Sequence, residues 1–243
     1  MDNSAIDHPV MKLMIQKAYT LAETARFGQS VIIARISEMK LLFPRQFLTS
    51  LTTLANLKEP SSQTTPAPST ALKIFLGLGQ DYGAEIGLPD FFNDMLKHPQ
   101  SENQILGFIE KGAALIITGG KHDNIVGAAS YITMSDGLFI DLVVVSHGRH
   151  QNAVTFSGQN RDFQNQGLGT FLITLLCLTA CVKCTVNPAV YLKANATDAP
   201  FFTRLGFVPL TSEAQGLPVS LASAVPAAHL DTSTDTVIFV RNP

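Results

Sequence analysis

The sequence feature that most restricts the possible folds of this chain is a strongly apolar stretch that begins at a pair of glycines. Leu168–Val182 is apolar over about 15 residues, apart from Gly169 and three threonines, and a polar loop ending in Gly167 precedes it. A membrane-spanning helix needs roughly 20 such residues, so a buried helix is the better prediction. The first N–H groups of a helix lack intrahelical partners, and glycines leave them accessible. The segment therefore favours a phosphate or pyrophosphate site, with an ordinary glycine-containing helix start as the alternative.

The composition indicates a chain that buries a sizeable core. Hydrophobic residues make up 46% and charged residues 15%, so global disorder is not expected. The net charge is −2, and no run of Lys or Arg exceeds two residues, which argues against nucleic acid or an anionic membrane as the main partner. The N-terminal residues do not resemble a secretory leader. We therefore expect a soluble, cytoplasmic protein.

The order of apolar patterns predicts a helical N-terminal segment, a linker and an α+β domain. Residues 1–57 repeat apolar positions at helical spacing, and residues 58–71 are rich in Pro, Ser and Thr. Within residues 72–243 the patterns predict a mixed β-sheet flanked by helices. Strands are expected at 72–76, 113–118, 125–134, 138–145, 189–195, 207–210 and 236–241, and helices at 89–111, 167–184 and 199–205. The N-terminal helices are candidates for covering the sheet, for forming a homodimer or for binding a partner.

Two motifs in this domain combine glycines with polar and aromatic residues. Gln164–Gly169 reads QNQGLG and directly follows Phe163. This motif resembles the signature of the GNAT superfamily of N-acyltransferases, (Gln or Arg)-x-x-Gly-x-(Gly or Ala), and Phe163 stands where that family usually has an aromatic residue. Asn195, Phe202 and Gly206-Phe207 fall at the offsets of the family's later motif. One helix and one strand fit between the two motifs, as in the family. The likeness is specific over about 125–207.

The resemblance implies acetyl-coenzyme A as cosubstrate and transfer of its acetyl group to a primary amine of a small molecule or protein by direct attack. In the family, backbone N–H groups of the signature hold the pyrophosphate, the preceding strand contacts the pantetheine and thioester, and the later motif lies beside them. No metal is implied. Carried over, the cofactor-binding positions are Val143, Val144, Val145, Gln164, Gln166, Gly167, Leu168, Gly169, Thr170, Asn195 and Phe202.

Asp141 is the candidate general base. It is the only charged residue in the apolar strand at 138–145, and a carboxylate there is costly unless it is paired or faces a cleft. A general base is required because the attacking amine must lose a proton. An exposed strand position or a structural hydrogen bond is the alternative interpretation.

Phe202 departs from the family, which often has a Tyr whose hydroxyl protonates the departing thiolate. Phe has no proton to donate. Tyr191 is therefore the candidate acid, with Tyr131, Tyr82 or solvent as alternative proton donors and transfer without an acid as a further alternative. The departure also keeps a second hypothesis open, in which the chain is a catalytically weak acyl-coenzyme A binding module or an interaction scaffold.

A long insertion precedes the signature. The family passes from the strand to the signature in about four residues, whereas Ser146–Asp162 spans 17. The insertion is interpretable as a plain surface loop, as a small hairpin over the acceptor site, or as an extra strand near 152–157. The acceptor itself cannot be predicted, although acidic residues within 77–112 are compatible with a cationic amine. Cys177, Cys181 and Cys184 share one helix face, which favours core packing over metal binding.

Overall fold

The structure is a computed structural model. It describes residues 9–24, 29–35, 71–96, 100–119, 124–147, 155–156, 159–160, 167–184, 187–210, 217–230 and 236–242 of the 243-residue chain. The strands in these ranges are β1 (Ser30–Arg35), β2 (Ala71–Leu78), β3 (Ala113–Gly119), β4 (Asn124–Met134), β5 (Gly137–Val145), β6 (Thr155–Phe156), β7 (Gln159–Asn160), β8 (Ala189–Asn195), β9 (Val208–Pro209) and β10 (Thr236–Arg241). The helices are α1 (Pro9–Thr24), α2 (Gln80–Glu85), α3 (Leu88–Met95), α4 (Glu102–Lys111), α5 (Leu168–Lys183), α6 (Ala199–Arg204), α7 (Val219–Ala224) and α8 (Ala227–Leu230).

Eight of the strands form one mixed sheet. Their order is β1-β2-β3-β4-β5-β8-β10-β9, and each neighbouring pair is antiparallel except β5 and β8, which are parallel. The α5 helix lies between those two strands in the chain, as a parallel connection requires. The predicted mixed sheet flanked by helices is therefore confirmed. Six predicted strands, which are β3, β4, β5, β8, β9 and β10, begin and end within one residue of the expected positions.

Alternate residues of the strands pack against different helices on the two sides of the sheet. Leu115 and Ile117 of β3 belong to the core cluster that includes α5 and α1. Ala114 and Ile116 of the same strand belong to a cluster with α3 and α4. Because successive strand side chains point to opposite faces, these two clusters mark the two faces of the sheet.

The apolar helix α5 is buried on nearly all sides. Its residues from Leu168 to Ala180 are mostly fully buried, because the sheet covers one side and α1 packs on another. A helix that is apolar on all its faces must be buried by other elements on more than one side. Cys177 and Cys184 are buried and Cys181 is partly buried, in agreement with core packing.

The N-terminal segment contributes to the same core. Ile15, Ala18 and Tyr19 of α1 pack with α5, and the Tyr19 and Tyr131 hydroxyls are 2.7 Å apart. Ser30–Arg35, for which a helix was predicted, is instead an edge strand that pairs with β2. Its sequence SVIIAR is rich in β-branched residues, which favour strands. Residues 36–70, with the predicted second helical run and most of the predicted linker, lie outside the described residues.

Two short helices, α7 and α8, lie in a part of the chain for which no element was predicted. Ser220 on α7 donates a hydrogen bond to Asp136 in the β4–β5 turn, at 2.7 Å, and Leu221 and Val225 pack in a third apolar cluster on the sheet. Across the described ranges, every helix is too short or too polar to cross a lipid bilayer.

Candidate active site

The two parallel strands β5 and β8 separate part of the way along their length. They are paired from Gly137 and Ala189 to Ile140 and Leu192, and the pairing stops there, although β5 continues to Val145 and β8 to Asn195. Among the described residues, β5 beyond Ile140 is therefore paired only on its β4 side. Within the described ranges the backbone N–H and C=O groups on its other side have no strand partner, and they can bond water or a ligand.

A bulge in β5 lies where the separation begins. Tyr131 of β4 pairs with Ile140 and Ser130 pairs with Leu142, so Asp141 is an extra residue on β5. Bulges bend a strand and change the direction of a side chain. The bulge thus places a carboxylate at the start of the gap between the two strands.

The gap is a cleft of about 460 Å³. Its walls are the diverging parts of β5 and β8, and further side chains come from the segment between α3 and α4, from α4, α6 and α8, and from the start of β10. The lining residues are Leu96, Gln100, Gln104, Ile140, Asp141, Leu142, Val143, Leu192, Lys193, Ala194, Asn195, Asp198, Phe202, His229 and Thr236. Apolar strand residues together with a few charged and amide groups are typical of small-molecule sites.

Asp141 is paired with a histidine in this cleft. The Nδ1 atom of His229 lies 2.8 Å from Oδ1 of Asp141. The Asp141 side chain is 9% exposed and that of His229 is 20% exposed. The imidazole ring also packs on Phe108 of α4, with ring centroids 4.8 Å apart. The pair is thus fixed from β5 and α4, and both members still line the cleft.

The glycine pair lies near the same strands. Gly167 has a positive φ of 88° and begins α5, a conformation that glycine adopts readily. A Cβ atom on Gly169 would lie 3.7 Å from Cζ of Phe201 and 3.9 Å from Cγ2 of Val145. Gly169 is therefore between β5 and α6, where a larger side chain would fill the space that separates them.

The structure brings together some of the predicted cofactor-binding residues. Val143, Asn195 and Phe202 line the cleft, and Val145 lies beside Gly169. Gln164 and Gln166 of the signature lie outside the described residues.

At three other predicted cofactor-binding positions, either the side chain or the backbone carbonyl is already engaged within the protein. The side chains of Val144 and Leu168 are buried in the core, so only their backbone groups could contact a ligand. The carbonyl of Thr170 accepts a hydrogen bond from Thr174 Oγ1 at 2.8 Å.

The structure does not bring Tyr191 into the cleft. Its side chain is buried in the cluster of α4, α7 and the sheet, and burial, followed by the negative charge of Asp136, raises the pKa of its hydroxyl. The alternatives are also elsewhere: Tyr131 is fully buried and bonded to Tyr19, and Tyr82 stacks on Phe75. None of these three tyrosines lines the cleft.

His229 was not predicted from the sequence. It lies in the four-residue helix AAHL, which carries no motif and is about 90 residues from Asp141 in the chain. A single histidine among apolar residues shortly before the last strand was the only available signal. Within the insertion, Thr155–Phe156 pairs with Gln159–Asn160, and this small two-stranded sheet does not join the main sheet.

No metal-binding group of three or more His, Cys, Asp or Glu side chains is present in the described ranges. The candidate site is therefore described by the cleft, the Asp141–His229 pair and the glycine-led start of α5.

The mixed sheet flanked by helices is the architecture that the resemblance of the two sequence motifs implies. No family model and no curated protein sequence matches the chain. Among solved structures, it is similar to the ribosomal-protein-S18-alanine N-acetyltransferase from Escherichia coli, with 17% identity and a TM-score of 0.43 over 65% of this chain and 86% of that chain. Ard1 from Thermoplasma volcanium is 14% identical, with a TM-score of 0.42 over 64% of this chain and 91% of that one.

A third similar structure is a GNAT family acetyltransferase from Elizabethkingia anophelis with acetyl-CoA bound. It is 13% identical, with a TM-score of 0.39 over 59% of this chain and 84% of that chain. All three likenesses have TM-scores below 0.5. The functional interpretation of this chain therefore rests on its own motifs and on the geometry of its cleft.

Proposed function

We propose that the protein is an acetyl-coenzyme A dependent N-acetyltransferase that acts on a primary amine. The observation that carries the proposal is the cleft between β5 and β8, together with the glycine-led start of α5, where Gly169 lies beside Val145 of β5. One element offers unpaired backbone groups to an extended chain, and the other offers N–H groups and a helix dipole to an anion. Acetyl-coenzyme A has both features, a pantetheine arm with amide groups and a pyrophosphate.

In this arrangement the backbone of Val143, Val144 and Val145 pairs with the amides of the pantetheine arm. The start of α5, from Gly167 to Thr170, holds the pyrophosphate, and the resemblance adds Gln164 and Gln166 to this set. Asn195 and Phe202 lie along the opposite wall. The thioester then lies near Asp141, where an amine entering from the side of Gln100 and Gln104 can reach it.

A thermal-shift titration of the full chain with acetyl-coenzyme A tests the cofactor. A ligand at 100 times its Kd stabilises a folded protein by about 2.7 kcal/mol, so a clear rise in Tm is expected. Gly169→Val should remove most of this rise because its side chain would fill the space between Val145 and Phe201. Gly107→Val is the matched control, since a Cβ there meets nothing within 4 Å among the described residues, and it should bind normally. A wild-type Tm unmoved by millimolar acetyl-coenzyme A would refute the proposal.

Release of the coenzyme thiol in the presence of a panel of amines tests turnover. Amino acids, polyamines, and peptides with a free N-terminus or a lysine cover the main classes of acceptor. An amine-dependent rate above the background of thioester hydrolysis is expected. Binding of acetyl-coenzyme A without such a rate would instead identify the chain as an acyl-coenzyme A binding module.

A further inference from the structure

We propose that His229 is the catalytic base of the acyl transfer and that Asp141 positions it. This inference rests on the proposed function, and it changes the role expected for Asp141. The short helix α8 brings His229 from the C-terminal part of the chain to the cleft, where its Nδ1 atom is 2.8 Å from the Asp141 carboxylate.

The hydrogen bond determines which imidazole nitrogen carries the proton. An ionised carboxylate only accepts hydrogen bonds, so Nδ1 must donate its N–H to Oδ1 of Asp141. The neutral ring then has its lone pair on Nε2. Packing on Phe108 fixes the plane of the ring. The imidazole is also the stronger base of the two side-chain types and the more exposed member of the pair.

Other charged groups lie around this pair. Lys193 on β8 and Asp198, which follows β8, line the same cleft. On the packed helix α4, the charged residues Glu102, Glu110 and Lys111 are exposed to solvent. Asp141 is the carboxylate in hydrogen-bond contact with the ring.

The chemical step is a single displacement at the thioester carbonyl. The amine nitrogen attacks, and the N–C bond forms through a tetrahedral adduct. The proton lost by that nitrogen goes to Nε2 of His229. The C–S bond then breaks, and its electron pair leaves with the sulfur as the coenzyme thiolate. The imidazolium, held by the Asp141 carboxylate, returns its proton to the thiolate or to water, so that no further reactant is needed.

The first test is the tautomer of His229, read from long-range ¹H–¹⁵N NMR spectra of the full chain, with His229→Gln used for assignment. We expect the neutral ring to carry its proton on Nδ1, and we expect Asp141→Asn to weaken this preference. A neutral wild-type ring protonated on Nε2 would overturn the proposal, because that nitrogen could not accept a proton. This measurement needs neither the acceptor nor turnover.

The second test is thiol release from acetyl-coenzyme A against pH, with the best amine of the panel or with water. General bases contribute about 10²–10⁴-fold, so His229→Gln should lose at least about 100-fold in kcat and the acidic limb of the pH profile. Asp141→Asn should lose less and move that limb to lower pH, and Asp141→Glu should recover part of both. His147→Gln is the comparator, because His147 lies two residues after the end of β5 and is not among the described residues that line the cleft, so this variant should keep the profile.

Retained thermal stabilisation by acetyl-coenzyme A shows that each variant is folded and binds the cosubstrate. If His229→Gln binds acetyl-coenzyme A and keeps the wild-type rate and pH profile, the inference fails while the proposed function stands. If the wild type does not bind acetyl-coenzyme A, the proposed function itself fails. If His229→Gln does not fold, the wild-type tautomer and the Asp141→Asn profile still decide the matter.

Discussion

The strand pair β5 and β8 is closed at one end and open at the other. At the closed end, residues from Gly137 to Ile140 pair with Ala189–Leu192, and their side chains are almost completely buried. At the open end, Asp141 faces His229 and the strands no longer contact each other through backbone hydrogen bonds. The same two strands thus form part of the hydrophobic core over their four paired residues, and they form the walls of the candidate site beyond those residues.

The two ends differ in what they contribute to stability. The closed end buries apolar side chains on both faces and satisfies its backbone groups within the sheet. The open end leaves backbone groups of β5 without a strand partner on the β8 side in the described part of the chain, and it largely buries the Asp141 carboxylate. Such features cost stability unless water or a ligand satisfies them. The difference indicates that the closed end holds the open end in place.

The largest expected effect comes from Gly137, at the start of the closed end. A Cβ atom there would lie 1.7 Å from the carbonyl oxygen of Ala189, so Gly137→Ala forces the strands apart. We expect a loss of more than about 4 kcal/mol in the free energy of unfolding, in the range reserved for severe packing errors. Urea unfolding measures it. Gly107→Ala on α4 is the control, where the same added methyl should stabilise the protein by about 0.5–1 kcal/mol. Equal stability of the two variants would contradict the close approach at the closed end.

A second expectation concerns Tyr131, which pairs with Ile140 at the last rung of the closed end. Burial, partly offset by the hydrogen bond with Tyr19, raises the pKa of Tyr131 from 10.0 to about 12. The unfolded chain releases this proton near pH 10 but the folded chain does not. The contribution of this hydroxyl to the free energy of unfolding is therefore fully present below pH 10. It is lost as the pH rises towards 12, by roughly 3 kcal/mol.

Urea unfolding at pH 8, 9.5 and 11 of the wild type and of Tyr131→Phe tests this expectation. The variant should lose stability at pH 8, because the Tyr19 hydroxyl loses its partner, and should show a shallower decline above pH 10. Burial also raises the pKa of Tyr19 and of Cys177, the latter to about 12, so some decline should remain in the variant. Parallel pH curves for the two proteins would show that Tyr131 does not contribute.

The closed end could be predicted from the sequence and the open end only in part. The runs that form β5 and β8 are apolar and bounded by turn residues, so local pattern was enough to find them. The separation of the strands depends on a bulge at Asp141 and on the register with β4, which are set by contacts distant in the chain. The strand β1 was also not predicted. The apolar residues before and after it recur at helical spacing, so the predicted helical segment included these six residues, although they are rich in β-branched side chains.

The candidate site divides in the same way. Glycines and the strand valines were predicted because the motif fixes their spacing, and Val143, Asn195 and Phe202 do line the cleft. Asp141 was singled out because a charge in an apolar strand is unusual. Its partner His229 carries no motif, and it reaches the cleft through tertiary contacts, among them its packing on Phe108 and its hydrogen bond with Asp141. Tyr191 was chosen by residue type, and strand alternation places its side chain in the apolar cluster below α7.

The smallest expected effect is at Phe202, on the wall of the open end. Its half-buried ring lines the cleft and packs edge-on against Phe201, with centroids 5.0 Å apart. A hydroxyl added by Phe202→Tyr can donate a proton to a departing thiolate, which Phe cannot do. We expect kcat for thiol release to rise, by less than about tenfold, or about 1.4 kcal/mol, because a coenzyme thiolate leaves readily without an acid. Phe75→Tyr adds the same hydroxyl to a half-buried ring of β2 that is not among the described residues lining the cleft, and it should leave kcat unchanged. A rise in both variants would show that the effect does not arise in the cleft. A rise in neither would mean that the open end already has a sufficient proton donor, for which the His229 imidazolium is the candidate.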